Sequence, residues 1–159
     1  MKKVLSNANR RAKGFSLIEL MIAITIIGII TAIAYPSYQG FMVDTNRGAV
    51  QADLVSLAAA MERHKAASFS YKAAAVSAAD TGKPDIYHKH SPSAEPYADR
   101  KYDLYISESS GSAYLLEAKP VTGTPQAGDG NLAFYSDGRR AWDVNNNGTY
   151  NTSEFCWNC

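Results

Sequence analysis

Four groupings of side chains in this 159-residue sequence are of types that do chemistry. The sharpest runs from Asp143 to Glu154, where Asp143, Asn145, Asn147, Gly148 and Glu154 fit the D-x-[DN]-x-[DN]-G-x5-E spacing of an EF-hand-type calcium loop. In that pattern Asp143, Asn145 and Asn147 offer side-chain oxygens, Thr149 its carbonyl and Glu154 two carboxylate oxygens, while Gly148 permits the turn. Only Asp143 and Glu154 are carboxylates, which predicts low affinity, and five residues after Glu154 leave no room for an exiting helix. The same residues read equally as an Asn/Gly-rich turn whose amides cap their own backbone. The second grouping is Cys156-Trp-Asn-Cys159, a CxxC with no helix behind it to lower a thiol pKa. It predicts a small disulfide, with a bond to another chain as the alternative, rather than redox catalysis. The third is His88-Lys89-His90 with His64, which reads as a metal chelate or, more simply, as exposed loop histidines. The fourth is Lys83, Lys89, Arg100 and Lys101, cations suited to DNA phosphates but diluted by Asp80, Asp85, Glu95, Asp99 and Asp103. Arg139 and Arg140 either join that patch or keep a strand edge from aggregating. No Ser or Cys nucleophile has a flanking motif and no Gly-rich phosphate loop is present, so the sequence does not read as an enzyme or as a binder of a small-molecule substrate. No cofactor is required by it, calcium being the one candidate.

The elements that carry these groups change period along the chain. From Tyr102 the pattern has period two, with Tyr102, Leu104 and Ile106 alternating with Asp103, Tyr105 and Ser107. Strands are also predicted over Ala113 to Lys119, Asn131 to Ser136 and Arg139 to Trp142, an antiparallel meander of four. Asp137-Gly138 is a hairpin signal for a type I′ turn. Upstream, Val43, Val50, Leu54, Leu57, Ala58 and Met61 recur at helical spacing and form a stripe that covers one face of the sheet, with Asp44, Arg47, Gln51 and Asp53 off it. One helix is predicted from about Phe15 to Ala66, some 75–80 Å long. Residues 68–100 have little periodicity. Phe69 and Tyr71 are expected to anchor them by packing back onto the helix.

The first half of that helix is of another kind. Phe15 to Ala34 is a twenty-residue apolar run with one charge, Glu19, long enough to span a bilayer core. Lys2, Lys3, Arg10, Arg11 and Lys13 precede it without an acid, which places the N-terminus in the cytoplasm. A secretory signal is cut after its apolar region. Here the cleavable pattern, Lys13-Gly14 followed by Phe15, comes before it. Without residues 1–14 the chain has eleven basic and fifteen acidic side chains, a net charge of −4, unlike a generic nucleic-acid binder.

A basic leader, then Gly-Phe-Ser-Leu-Ile-Glu and a long apolar run, closely resembles the prepilin signal of type IV pilins and type II secretion pseudopilins. Tyr35-Pro-Ser-Tyr-Gln39 and Ala58 to His64 extend the likeness, most of all to minor pilins of the PilE type. The resemblance implies cleavage after Gly14 by a prepilin peptidase and N-methylation of Phe15. It implies that Glu19 meets the methylated amine of a neighbouring subunit during assembly, which offsets the cost of a carboxylate at membrane depth. It implies that the helix yields between Gly28 and Pro36, both of which weaken it. The implied fold is α+β, a long helical spine packed by its C-terminal half on a four-stranded antiparallel sheet. The implied division is a leader (1–14), a transmembrane and filament-core helix (15–43) and an exported globular domain (44–159). The implied partners are other pilins, the peptidase, the assembly machinery and the inner membrane, which the helix crosses once before entering an extracellular pilus. The expected function is a structural minor subunit supporting pilus biogenesis, twitching motility, adhesion or DNA uptake. A DNA receptor for transformation and a secretion pseudopilin are the alternatives. Type IVa pilins often close a long C-terminal loop with a disulfide, whereas Cys156 and Cys159 would close only a tiny ring.

Overall fold

A computed structural model describes residues 14–158 of the chain. It has two compact units, Met1–Tyr38 and Gln39–Cys159. The helix α1, Leu17–Ser68, contributes to both and begins and ends two residues later than expected, with Pro36 inside it. Ser16 sits at its N-cap. The Ser16 N–H donates to Glu19 Oε2 (2.9 Å) and the Glu19 N–H donates to Ser16 Oγ (3.2 Å), a reciprocal capping box that satisfies two otherwise orphaned groups.

The second unit is an antiparallel sheet in sequential order: β1 (His90–Ser91), β2 (Tyr102–Ser109), β3 (Tyr114–Pro120), β4 (Leu132–Tyr135) and β5 (Arg140–Trp142). The four expected strands are present, and a fifth, β1, is added at the edge. Two residues next to Pro92 carry no readable period, which is why it escapes a sequence pattern. Alternation sends Tyr102, Leu104, Ile106, Leu116 and Leu132 inward, where they meet Val50, Leu54, Leu57, Ala58 and Met61 of α1 in one core. Each fully buried Leu, Ile or Met contributes about 1.5–3 kcal/mol relative to exposure. The β4–β5 connection differs from the type I′ expectation. Gly138 N–H donates to the Tyr135 carbonyl and Tyr135 N–H to that of Arg139, with positive φ at Gly138 (86°) but not at Asp137. This is the three-residue loop closed by a glycine bulge.

Two side chains expected to lie off the helical stripe face the domain instead. Asp53 is buried, accepting from Tyr87 OH (3.0 Å), Ser91 Oγ (2.6 Å) and Ser93 N–H (3.0 Å), and so holds the irregular segment beside β1. Arg47 Nε donates to both oxygens of buried Asp129 (2.9 and 3.0 Å), and its guanidinium lies 3.9 Å from the Trp142 ring centroid. Asp129 also accepts from Tyr102 OH and from Gln126 Nε2 (2.9 Å). Gln126 in turn reaches the Val43 carbonyl (3.2 Å) and accepts from Asn46 (3.2 Å). The chain turns away from Asp129 through Gly130, at φ +79°, where an added Cβ would lie 1.9 Å from the Asp143 carbonyl oxygen. Phe69 differs from expectation as well. Tyr71 is buried as expected, but Phe69 takes φ +59° at the end of α1, and the left-handed turn leaves it exposed.

On the outer face of the sheet, Glu117 is half-buried and accepts from Ser107 Oγ (2.5 Å) and Tyr150 OH (2.9 Å), with Lys119 Nζ 3.3 Å away. A bulge between Ile106 and Glu108 interrupts the β2–β3 register next to Ser107. Tyr150 thereby ties the C-terminal loop to β3. Burial pushes the Glu117 carboxyl up, but the hydrogen bonds from Ser107 and Tyr150 and the nearby Lys119 outweigh it and hold the group below its ordinary 4.5. A carboxylate depressed on folding stabilises fully above its unfolded value, and that contribution is lost as pH falls through the lower folded value.

Two outcomes follow. Asp129→Ala strips the acceptor from Arg47, Tyr102 and Gln126 and is expected to cost about 3–5 kcal/mol of unfolding free energy by urea titration of the full chain in detergent. A loss under about 1 kcal/mol contradicts the anchoring role. Glu117→Gln is expected to lower the Tm at neutral pH and to flatten the fall of Tm on acidification below pH 4.5. An acid limb as steep as in the parent chain contradicts it.

Candidate functional site

The first candidate is the apolar part of α1. Twelve large apolar side chains from Phe15 to Ile33 are each at least half exposed. The most apolar window of the helix has mean hydropathy 2.5 and none of it is buried. This is the one helix among the described residues long and apolar enough to cross a membrane. At about 1.5–3 kcal/mol per side chain, leaving this surface in water costs tens of kcal/mol, more than a domain's net stability. Thr25 and Thr31 do not break the apolar surface, because their hydroxyls donate to the carbonyls of Met21 and Ile27 one turn back. Gly14 and Phe15 lie just before the helix, Phe15 almost wholly exposed, and Gly28 has open space around it. Glu19 is in the first turn, with the cap described above. The S-x-x-E spacing of Ser16 and Glu19 is the sequence signature of that capping box.

The second candidate is the basic grouping, which the structure divides. Lys83 Nζ (2.8 Å) and Arg100 Nε (3.0 Å) both lie on Asp103 Oδ1. Lys83 also donates to Tyr97 OH (2.9 Å), and the Arg100 guanidinium stacks 4.0 Å from the Tyr97 ring centroid and donates to its carbonyl. Burial alone would lower the Lys83 ammonium, but the bonds to Asp103 and Tyr97 outweigh it and raise it above its ordinary value. Lys89 and Lys101 form no ion pair among the described residues; their backbones are held by Leu104 and Ser91. The rings of His88 and His90 meet edge to face, 6.1 Å between centroids, but each histidine has its own surroundings. His64 bonds the Lys72 carbonyl, His90 is buried against the Glu95 carbonyl and the Tyr97 ring, and His88 is exposed. Among the described residues no three His, Cys, Asp or Glu side chains are grouped to hold a metal ion. Arg139 pairs with Asp137 (2.7 Å), and Arg140 lies over the Trp157 ring, so neither joins the Lys83–Arg100 cluster.

The third candidate is the C-terminal loop. Asp143 is buried and accepts from the N–H groups of Asn147 (3.0 Å) and Gly148 (2.7 Å). Asn145 Oδ1 accepts from Asn147 N–H, and Asn147 Oδ1 from the N–H and hydroxyl of Thr149. Glu154 is buried, with one oxygen on Asn145 N–H (3.4 Å) and the other on Asn151 N–H (2.8 Å). Each side-chain oxygen that a calcium ion would use accepts from the loop's own backbone, as in a self-capped turn. Cys156 is disulfide-bonded, and its expected partner Cys159 lies outside the described residues. Trp157 between them is buried, donates to the Ala133 carbonyl (3.2 Å) and accepts from Gln51 of α1 (3.2 Å).

Comparison with known proteins bears on the first two candidates. The family described as type IV minor pilin ComP, DNA uptake sequence receptor, matches residues 36–132. The prokaryotic N-terminal methylation motif matches residues 9–35. The chain is 32% identical over 89 residues to type II secretion system core protein G of Klebsiella pneumoniae, covering 56% of this chain and 59% of that one. It is 44% identical over 50 residues to type IV major fimbrial protein FimA of Dichelobacter nodosus, 31% of this chain and 32% of that one. It is 50% identical over 44 residues to type IV major alpha-pilin of Moraxella bovis, 28% of each. The chain thus spans less than two thirds of the length of these curated relatives. No solved structure matches it.

Proposed function

The chain belongs to the type IV minor pilin family of ComP, DNA uptake sequence receptor, and from that premise we propose that it is a structural minor subunit of a type IV pilus whose sheet domain meets DNA. The observation that carries the proposal is the apolar surface of Phe15 to Ile33, which the chain leaves uncovered. In this reading prepilin peptidase cuts between Gly14 and Phe15. The helix then holds the protein in the inner membrane, N-terminus cytoplasmic, until the assembly machinery draws it into a filament. There the same surface is buried against other pilins. The carboxylate of Glu19 pairs with the terminal amine of a neighbour and sets register, and the interval from Gly28 to Pro36 is where the helix yields. Lys89 and Lys101 are the cations left for DNA phosphates. The reading assigns no cofactor and no catalytic group. The likeness to a type II secretion core protein supports a second reading as a pseudopilin. The minor-pilin family match over residues 36–132 favours the pilus.

Two substitutions at Glu19 separate its charge from its cap. Glu19→Gln keeps an oxygen for the Ser16 N–H, and Glu19→Ala removes it. Both variants are expected in the inner membrane at parental levels and depleted roughly tenfold or more from sheared filaments, because both leave the neighbour's amine unpaired. Parental recovery of the Gln variant alone makes Glu19 a helix cap only and contradicts the pairing.

A further inference from the structure

We infer that Asp103 is a built-in restraint on the DNA-binding surface, neutralising part of the charge of Lys83 and Arg100 and keeping them from phosphates that come without further contacts. The inference rests on the DNA-binding part of the reading above. Across residues 83–103 four cations (Lys83, Lys89, Arg100, Lys101) stand against four carboxylates (Asp85, Glu95, Asp99, Asp103). The segment is therefore electrically neutral, and which acids are engaged decides where positive field emerges.

Among the four acids, Asp103 alone makes an ion pair within the described residues, and it makes two, both on Oδ1. Its side chain is 18% exposed, and those of Lys83 and Arg100 are 30% and 25% exposed. The pairs are sheltered enough that solvent and salt screen them less than surface pairs. The geometry is also over-determined. Tyr97 takes Lys83 on its hydroxyl and Arg100 on its ring face and carbonyl, so the two cations stay in place whether or not Asp103 carries charge.

A phosphate approaching this cluster competes with Asp103 for both cations. A duplex that offers phosphates alone must displace the carboxylate from two partners at once. A duplex that also contacts bases with neighbouring side chains offsets that cost. Asp103 thereby weakens sequence-independent binding, which rests almost entirely on phosphate contacts. Asp99, one residue from Arg100 and exposed, has the same charge but no ion pair among the described residues, so it shares the net charge of Asp103 without its position.

The test uses the full chain in zwitterionic detergent and a short, fluorescently labelled duplex of mixed sequence, titrated over a range of salt. Asp103→Asn is expected to bind roughly three- to tenfold more tightly than the parent at low salt. Its slope of log K against log salt should be steeper by about 0.9, one additional phosphate contact. Asp99→Asn should leave both quantities nearly unchanged. Adding Lys83→Gln to Asp103→Asn should return the affinity to the parental level, which assigns the gain to the released cation and not to a disturbed fold. Binding by the parent with no gain in Asp103→Asn overturns the restraint and leaves the DNA-binding reading intact. An equal gain in Asp99→Asn also overturns it, because net charge then suffices. No binding by the parent or by Asp103→Asn overturns both.

Discussion

An apolar helical surface that its own chain does not bury constrains everything else about this protein. Between Phe15 and Ile33 no large apolar side chain is less than half exposed, and the one carboxylate there, Glu19, sits in the first turn. Water cannot be the resting environment of such a segment, since the exposed area outweighs the stability of any domain attached to it. Lipid accepts it, because a helix satisfies its own backbone and Thr25 and Thr31 return their hydroxyls to the turn before. A bundle of similar helices accepts it as well. A subunit that passes from one to the other needs a helix that is apolar all round, and that is what the composition supplies.

The second half of the same helix solves a different problem. It meets the sheet through Val50, Leu54, Leu57 and Met61, an ordinary hydrophobic seam. Alongside that seam, docking is continued by carboxylates that each collect several donors. Asp129 gathers Arg47, Tyr102 and Gln126, and Asp53 gathers Tyr87, Ser91 and Ser93. Glu117 does the same for the C-terminal loop through Tyr150. Three carboxylates are thus each shared among several donors, the arrangement in which a sheltered charge is tolerated. Asp103 belongs with them by geometry, but its partners are cations on the surface instead of groups in the core. Residues 15–159 carry fifteen acidic and eleven basic side chains, and several of the acids are spent on contacts inside or against the domain.

Much of this was legible in the sequence. The period-two runs around Tyr102 and Leu116 and the helical spacing from Val50 to Met61 are geometric consequences of which side chains must be dry. The N-terminal methylation motif is local, so it needs no fold to be read. What the pattern did not give is physically instructive. Arg47 and Asp53 look like solvent-facing residues because a polar side chain that faces a partnered interior is indistinguishable by type from one that faces water. The two-residue strand β1 is shorter than any period. Phe69 was expected inside, but a left-handed residue at a helix end redirects the side chain, and only the backbone reveals it. The Asp143–Glu154 spacing suits a cation loop and a self-capped turn alike. Main-chain N–H groups donate to Asp143 and Glu154, as a self-capped turn requires.

The account stands or falls on which side of the apolar helix the chain is trimmed. Intact-mass and N-terminal analysis of the protein recovered from its host's membranes and surface filaments measures this directly. The account predicts a polypeptide that begins at Phe15, carries one additional methyl group on that residue and retains the whole helix. A chain that keeps Met1 to Gly14 in the filament fraction, or one cut after Ala34 and released without its helix, contradicts it.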